Sequence, residues 1–336
     1  MKPILHLLAG LSLVNISYGQ VVLLPSGMKK DAEAVALANP SLKPVFYDDA
    51  KDALEKIPNA EAYIGGPNGA LMTAGVKLRW VHIFSAGIED YRDLPGFADG
   101  RVTMTSLKIY QGPEIADHAF ALLLHLTRNI GAYQQAQAEA EWTKTSKPVM
   151  PLTELRGRTM LVIGYGGIGT QVAERAKAFG MTVNAIDLKD IPLTVTLQKT
   201  GKPDELLTML PEADVVVNCL PITPATENMI GPGEFAKMKQ GTYFINVSRG
   251  KVVNTAALVQ ALQEKRLAGA GLDVVDPEPL PKDSPLWKMP NVIITPHIAG
   301  VSDARTGRQN ALIIGNLTRF AHDLPLKNVV DPVKGF

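Results

Sequence analysis

The stretch LVIGYGGIGTQVAERAKAFG, residues 161–180, decides the reading of this chain. An apolar run over 160–163 stops at Gly164, and Gly164, Gly166 and Gly169 follow at GxGxxG spacing, opening a helical pattern that closes on Gly180. The pattern predicts a strand, a tight turn and a helix. In such a unit Gly164 allows the turn, Gly166 lets a pyrophosphate approach the backbone, and Gly169 lets the helix pack close to the strand. The helix N-terminus then presents free N–H groups and the positive end of its dipole to an anion.

Residues 182–186 read as the next strand, and Asp187 stands at its end, where a carboxylate accepts hydrogen bonds from the adenosine ribose hydroxyls. A carboxylate there also repels a 2′-phosphate, so the expected dinucleotide is NAD rather than NADP. Lys189, two residues on, leaves room for NADP, or is a solvated loop charge.

Outward from this unit, 336 residues allow two domains with separate cores. The 34 basic residues nearly cancel the 33 acidic ones and are scattered, so nucleic acid is not an expected partner. One cysteine, Cys219, excludes an internal disulfide and a multi-cysteine metal site, and no metal is expected. Its apolar surroundings, 215–220, suggest a buried strand thiol rather than a nucleophile. Residues 1–19 have a short basic start, a largely apolar run and small residues at Ser17 and Gly19, the pattern of a secretory signal peptide cut after Gly19. That pattern implies a periplasmic or secreted protein. The competing readings are an uncleaved anchor over 4–24, an extra buried segment, and a cytoplasmic chain.

Strands are expected at 21–24, 45–47, 62–64, 80–83 and 102–105, alternating with helices, which predicts a first α/β unit with a parallel sheet. A nearly all-apolar helix over 114–130 follows Gly112-Pro113 and reads as an element buried between domains. Its Asp117, His118 and His125 read as helix-end and interface polar groups. Six strands, at 160–163, 182–186, 215–220, 242–247, 270–274 and 292–295, match a doubly wound sheet. A helix over 303–322 has no strand of its own to follow and is expected to pack back on the first unit. The domains are therefore drawn as 20–125 with 300–336 for the substrate, and 126–299 for the dinucleotide.

Ligands of such sheets gather at the carboxyl ends of the strands. Three candidates fall there: Arg249 in NVSRG, Glu278 in DVVDPEPL and His297 in TPH. Singly each has a plain explanation, as a solvated loop charge or a structural imidazole. As a set they have a chemical logic. A guanidinium holds a planar carbonyl acid by paired hydrogen bonds and polarises its C=O. A histidine gives a proton to that oxygen as hydride arrives and takes it back in reverse. A carboxylate beside the imidazole orients it and favours its protonated form.

With these motifs in order, the sequence resembles the D-isomer-specific 2-hydroxyacid dehydrogenases, the family that includes glyoxylate and hydroxypyruvate reductases. FSAGIEDY, residues 84–91, is similar to the family's carboxylate-binding loop, and GYGGIG to its cofactor turn. NCLPIT is similar to its loop beside the nicotinamide, and INVSRGKVVNTAAL, GLDVVDPEPL and ITPHIAG to its catalytic segments. The resemblance implies an α/β architecture, a Rossmann doubly wound parallel sheet for NAD plus a flavodoxin-like substrate domain. It implies hydride transfer between NAD(H) and C2 of a small 2-hydroxy or 2-oxo acid, with reduction of glyoxylate, hydroxypyruvate or a similar acid mildly favoured. By the same resemblance Arg249 binds and polarises the substrate, His297 is the acid/base and Glu278 its partner, with Asp276 a rival on local sequence. Ser85, Ala86 and Gly87 would meet the substrate carboxylate. Gly164, Tyr165, Gly166, Gly167, Ile168, Gly169, Asp187, Leu220, Pro221, Thr226, Val247, Ser248 and Asp273 would meet the cofactor, Asp273 at the nicotinamide carboxamide. A homodimer is also implied.

Asp117 stands where many relatives have Glu, and Asn254 where many have Asp; the leader is a larger departure, since relatives are mostly cytoplasmic. A dinucleotide-sensing binding protein of the same fold is the alternative of a different class. A metal-dependent hydrolase lacks ligand clusters.

Overall fold

The computed structural model describes residues 19–142, 151–331 and 334, so the expected leader at 1–19 lies almost wholly outside the described residues. Strands β1 (Gln20–Pro25), β2 (Leu42–Tyr47), β3 (Ala62–Ile64), β4 (Trp80–His82) and β5 (Thr103–Thr105) form one parallel sheet in the order β2-β1-β3-β4-β5. Strands β6 (Thr159–Ile163), β7 (Thr182–Ile186), β8 (Lys199–Gly201), β9 (Val215–Asn218), β10 (Thr242–Asn246), β11 (Leu267–Leu272) and β12 (Val292–Ile294) form a second. Its order is β12-β11-β10-β9-β6-β7-β8, and every pairing is parallel.

The short, continuous apolar runs explain why these segments are central strands, since a parallel sheet covered by helices on both faces needs apolar side chains in both directions. In β6, Met160 and Val162 enter the core with Leu123, Val172 and Val217 on one face. Leu161 and Ile163 enter the opposite core with Met209, Val216 and Phe244, as a period of two requires. The strand order reverses at β6, which lies between β7 and β9, so the crevice for a ligand opens at the carboxyl end of β6.

The second sheet has seven strands where six were expected. The added β8 is a half-buried edge strand of sequence KTG with no apolar signal to announce it. Strand β11 begins at Leu267, three residues before the expected 270, because Gly269 and Gly271 interrupt its apolar pattern. Gly271 is needed there: a Cβ on it would lie 2.8 Å from Leu122 Cβ, so the helix Gly112–Thr127 rests directly on the strand.

That helix was expected to run over 114–130. It stops at Thr127, and Asn129, with φ of 53°, turns the chain into a separate helix, Ile130–Ala138. The sequence reading divided it between the two units at 125, but Ile115, Ala119, Leu122, Leu123 and Leu126 all bury against the seven-stranded sheet. The final helix, Arg305–Ala321, returns to the first sheet, where Ile313, Leu317 and Phe320 share a core with Val22, Leu24 and Trp80. The Phe320 and Trp80 ring centroids are 5.3 Å apart. Val330 joins the opposite core of that sheet, and Val329 bridges Thr105. Among the described residues no helix is long and apolar enough to cross a membrane.

Candidate active site

The glycine turn has the geometry its spacing predicts. Gly164 has φ of +93°, a left-handed backbone that favours glycine, and a Cβ there would meet the Cys219 backbone at 2.9 Å. A Cβ on Gly169 would collide with the Gly164 carbonyl oxygen, so the missing side chain lets the helix Gly167–Ala178 approach β6. Gly166 differs from both. It caps that helix, and a Cβ on it would meet nothing within 4 Å. The open face above Gly166 and the helix N-terminus beneath it fit a pyrophosphate.

Asp187 closes the end of β7, and its Oδ2 accepts from the Tyr165 amide at 2.8 Å, its Oδ1 from the Lys189 amide at 2.8 Å. The carboxylate is thus fixed against the glycine turn with lone pairs to spare. These residues fit the phosphates and ribose of a dinucleotide.

On the far side of β6, the loops after β9 and β10 are built on a buried amide network. Asn218 Nδ2 donates to Asn246 Oδ1 at 3.1 Å and to Ser248 Oγ at 2.8 Å, and Asn246 Nδ2 donates to the Arg249 carbonyl at 3.3 Å. Leu220 is turned by the hydrogen bond that its amide N–H donates to Asn218 Oδ1 at 3.2 Å. Thr226 uses its hydroxyl to close its own loop on the Pro221 carbonyl at 2.7 Å. The Val247 side chain is in the core, and Ile168 is partly buried against it. Burial pushes the Cys219 thiol up to about 12, so it is not a nucleophile at neutral pH.

His297 and Glu278 come together as the sequence suggested. His297 Nδ1 lies 2.9 Å from Glu278 Oε2, while Glu278 Oε1 accepts from the Val275 amide at 3.0 Å. Asp276, the rival, instead offers its carbonyl to Thr255 Oγ1 at 2.7 Å. A carboxylate can only accept here, so Nδ1 carries the proton and Nε2 is the ring's remaining nitrogen. His297 has φ of +53°, and its amide is held by the carbonyls of Asp273 at 2.8 Å and Thr295 at 3.0 Å.

Asp273 is the organiser of this loop. Its carboxylate, 2% exposed, accepts from Thr295 Oγ1 at 2.6 Å and from the amides of Ile298 and Ala299, each at 3.0 Å. His118 completes the cluster through Thr295 Oγ1 at 2.8 Å, a contact inside the seven-stranded unit and not at the junction expected for it. Asp117 pairs with Arg175 at 2.7 Å, and Asn254 caps the helix Thr255–Gln263 by accepting from the Ala257 amide at 2.9 Å. Neither departure touches His297.

Arg249 is where the two units meet. Its loop packs on the Glu278 loop, since a Cβ on Gly250 would collide with the Val275 carbonyl. Its guanidinium reaches across to the loop after β4, where Nε donates to Glu89 Oε1 at 2.5 Å and Nη2 lies against the Gly87 backbone. Nη1 donates to the Ser248 carbonyl at 2.8 Å. Ser85 Oγ donates to the Gly87 carbonyl at 2.6 Å and holds the loop containing Ala86 in shape. From the other side, Arg305 Nη2 donates to the Phe84 carbonyl at 3.2 Å, and Arg308 pairs with Glu114 at 2.5 Å.

The sequence reading missed Asn218, Asn246 and Glu89. All three stand inside quoted motifs, NCLPIT, INVSRG and FSAGIEDY, but only the fold shows that the two amides face each other and that Glu89 meets Arg249. Among the described residues no group of His, Cys, Asp and Glu could hold a metal ion.

Comparison with known proteins places this geometry. The model of the D-isomer specific 2-hydroxyacid dehydrogenase NAD binding domain matches residues 120–299. A glyoxylate/hydroxypyruvate reductase B of Klebsiella pneumoniae subsp. pneumoniae is 33% identical over 282 residues, covering 83% of this chain and 87% of the relative. A crystal structure of a D-isomer specific 2-hydroxyacid dehydrogenase family protein from Aeromonas salmonicida superposes with a TM-score of 0.78 at 30% identity, covering 93% and 99% of the two chains. A D-isomer specific 2-hydroxyacid dehydrogenase from Xanthobacter autotrophicus, solved with NADPH and MES, has a TM-score of 0.78 at 27% identity, covering 95% and 99%.

Proposed function

Because the chain belongs to the D-isomer-specific 2-hydroxyacid dehydrogenase family, we propose that it reduces a small 2-oxo acid, such as glyoxylate or hydroxypyruvate, at C2 with a reduced nicotinamide dinucleotide. The observation that carries this reading is the His297–Glu278 pair, 2.9 Å apart, set with Arg249 at the carboxyl edge of a parallel sheet whose glycine turn is shaped for a pyrophosphate.

The roles follow from the donors each residue has left. Arg249 anchors the substrate's carboxylate together with the backbone amides of Ala86 and Gly87, and its charge polarises the adjacent carbonyl. His297 Nε2 gives its proton to the carbonyl oxygen as the C2 carbon is reduced, and takes it back in the reverse direction. Glu278 holds the imidazole by Nδ1 so that Nε2 is the nitrogen that acts. Gly166, Gly167 and Ile168 offer backbone amides at the helix start to the phosphates. Leu220, Pro221 and Thr226 stand on the nicotinamide side, and the buried Val247, Ser248 and Asp273 hold that side in shape from beneath. The bound nicotinamide supplies the hydride.

Asp187 supports NAD over NADP, because its fixed carboxylate accepts from a ribose 2′-hydroxyl and repels a phosphate there. A homodimer, implied by the resemblance, is tested by light scattering at about twice the chain mass. The test of the function is direct. Purified protein should oxidise NADH in the presence of one of these acids, and Arg249→Ala and His297→Ala should each lower this rate at least about 100-fold while still binding NADH. Turnover that survives both substitutions undiminished would remove the reading.

A further inference from the structure

Glu89 is a charged side chain at the site that the reaction does not use. It stands two residues after Gly87, on the loop following β4, and its carboxylate accepts from Arg249 Nε at 2.5 Å. Both of its oxygens crowd the space a Gly87 side chain would fill, beside Arg249 Nη2. Burial pushes its carboxyl up, but the Arg249 guanidinium and the amides of Glu89 and Ile88 outweigh that and hold it below the usual carboxylate range. A carboxylate resting on one guanidinium and the amides of this loop has the same kinds of donors that the substrate's own carboxylate would use.

We propose that Glu89 is a built-in carboxylate that occupies the anion-binding edge of Arg249 until the substrate's carboxylate displaces it, and so sets the affinity for 2-oxo acids. The proposal rests on Arg249 being the carboxylate anchor. Two observations favour displacement over a fixed support. Arg249 keeps a second hold, Nη1 on the Ser248 carbonyl at 2.8 Å, so its guanidinium stays oriented when Glu89 leaves. The pair is also open to water, with side chains 28% and 36% exposed, so parting it is cheap compared with parting a buried pair. Glu89 then acts on binding and leaves the chemical step alone: it must leave before the substrate is held, and it plays no part once the substrate is in place.

The test is Glu89→Gln, which keeps the shape and removes the charge. With saturating NADH, KM for glyoxylate and hydroxypyruvate should fall two- to tenfold while kcat stays within twofold. Oxalate, an unreactive planar acid, should inhibit more strongly by a similar factor. An unchanged KM, or a raised KM with a lowered kcat, overturns the proposal and makes Glu89 a support that Arg249 needs. Should the wild-type protein reduce no 2-oxo acid, the proposed function fails. Calorimetric titration of the NADH-loaded protein with oxalate then decides this point separately. Tighter binding by Glu89→Gln supports displacement, and equal or weaker binding overturns it.

Discussion

The imidazole of His297 and the carboxylate of Glu278 are joined at 2.9 Å, and each is fixed again from behind, Glu278 by the Val275 amide and His297 by the carbonyls of Asp273 and Thr295. The pair comes from two separate loops after β11 and β12, and Asp273 ties them by accepting from Thr295, Ile298 and Ala299. A proton donor held in this way loses little orientational freedom on reaching the transition state, where preorganisation counts most.

Removing the donor should therefore cost more than removing its holder. His297→Ala is expected to lower kcat by about 10²–10⁴-fold, the range of general acid–base catalysis. Glu278→Gln leaves the ring in place but loosens it, and the expected loss is smaller. Stopped-flow single-turnover rates check both, with NADH binding by fluorescence unchanged; equal losses would contradict the division of roles.

Arg249→Lys keeps the charge but not the planar fork, so it is not a conservative change at a carboxylate site. The expected result is a KM for the 2-oxo acid raised at least tenfold with the NADH dissociation constant unaltered. Steady-state kinetics that show a wild-type KM would remove Arg249 from the substrate's carboxylate.

In the proposed function Asp187 sets the preference for NADH. Hydrogen bonds to a charged group are worth about 1.5–3 kcal/mol, so Asp187→Ser should weaken NADH by roughly 10–100-fold and move the NADPH/NADH ratio of kcat/KM upward. A ratio left where it was would mean that other residues select the dinucleotide.

The glycines separate fold from binding. Gly169→Ala drives a methyl group into the Gly164 carbonyl and should destabilise by about 1–3 kcal/mol, read as a lower Tm. Gly166→Val meets no protein atom within 4 Å from its Cβ, so Tm should hold while the NADH dissociation constant rises. Loss of Tm in Gly166→Val with NADH affinity intact would reverse this assignment.

His82 links the fold to pH. It is buried in β4 with Nδ1 on Thr105 Oγ1 at 2.8 Å, its Nε2 has no hydrogen-bond partner among the described residues, and burial lowers its pKa from 6.5 to about 4. The unfolded chain therefore binds a proton that the folded one refuses as pH falls from 6.5 towards 4, and stability drops through that window by up to about 3 kcal/mol. Urea midpoints measured across it should fall in the wild type and flatten in His82→Gln. Parallel slopes in the two proteins would assign the acid loss to other groups.

The N-terminal reading meets the fold at one residue. Strand β1 begins at Gln20, whose amide donates to the Ser41 carbonyl at 2.6 Å, so cleavage after Gly19 would leave the whole strand in the sheet. We propose that the protein is exported and cut there. Mass spectrometry of the native protein should then find Gln20 first; an intact Met1 would defeat the proposal.

What the sequence made legible was whatever rested on local rules. The GxGxxG spacing and the apolar runs of β6, β9 and β10 report backbone demands that neighbours in sequence impose, and these were readable. The edge strand β8 was not, because a half-buried KTG needs only the hydrogen-bonding edge of β7, which no pattern in its own residues records. The end of the helix at Thr127 was hidden likewise, since Asn129 and not a glycine takes the left-handed turn, and the helical pattern resumes at once at Ile130. At the site, Arg249, Glu278 and His297 were found by residue type and strand-end position. Glu89 was not, because its partner is 160 residues away and only the packing of the two units joins them.

In the proposed function Arg249, His297 and a bound nicotinamide act together on a 2-oxo acid. The most direct measurement is loss of nicotinamide absorbance with glyoxylate, hydroxypyruvate and related 2-oxo acids, run in parallel on wild type and His297→Ala with NADH and NADPH. Turnover of at least one small acid by the wild type, NADH preferred, with a rate at least about 100-fold lower in the variant, is the expected result. Binding of the dinucleotide with no turnover of any acid would contradict it.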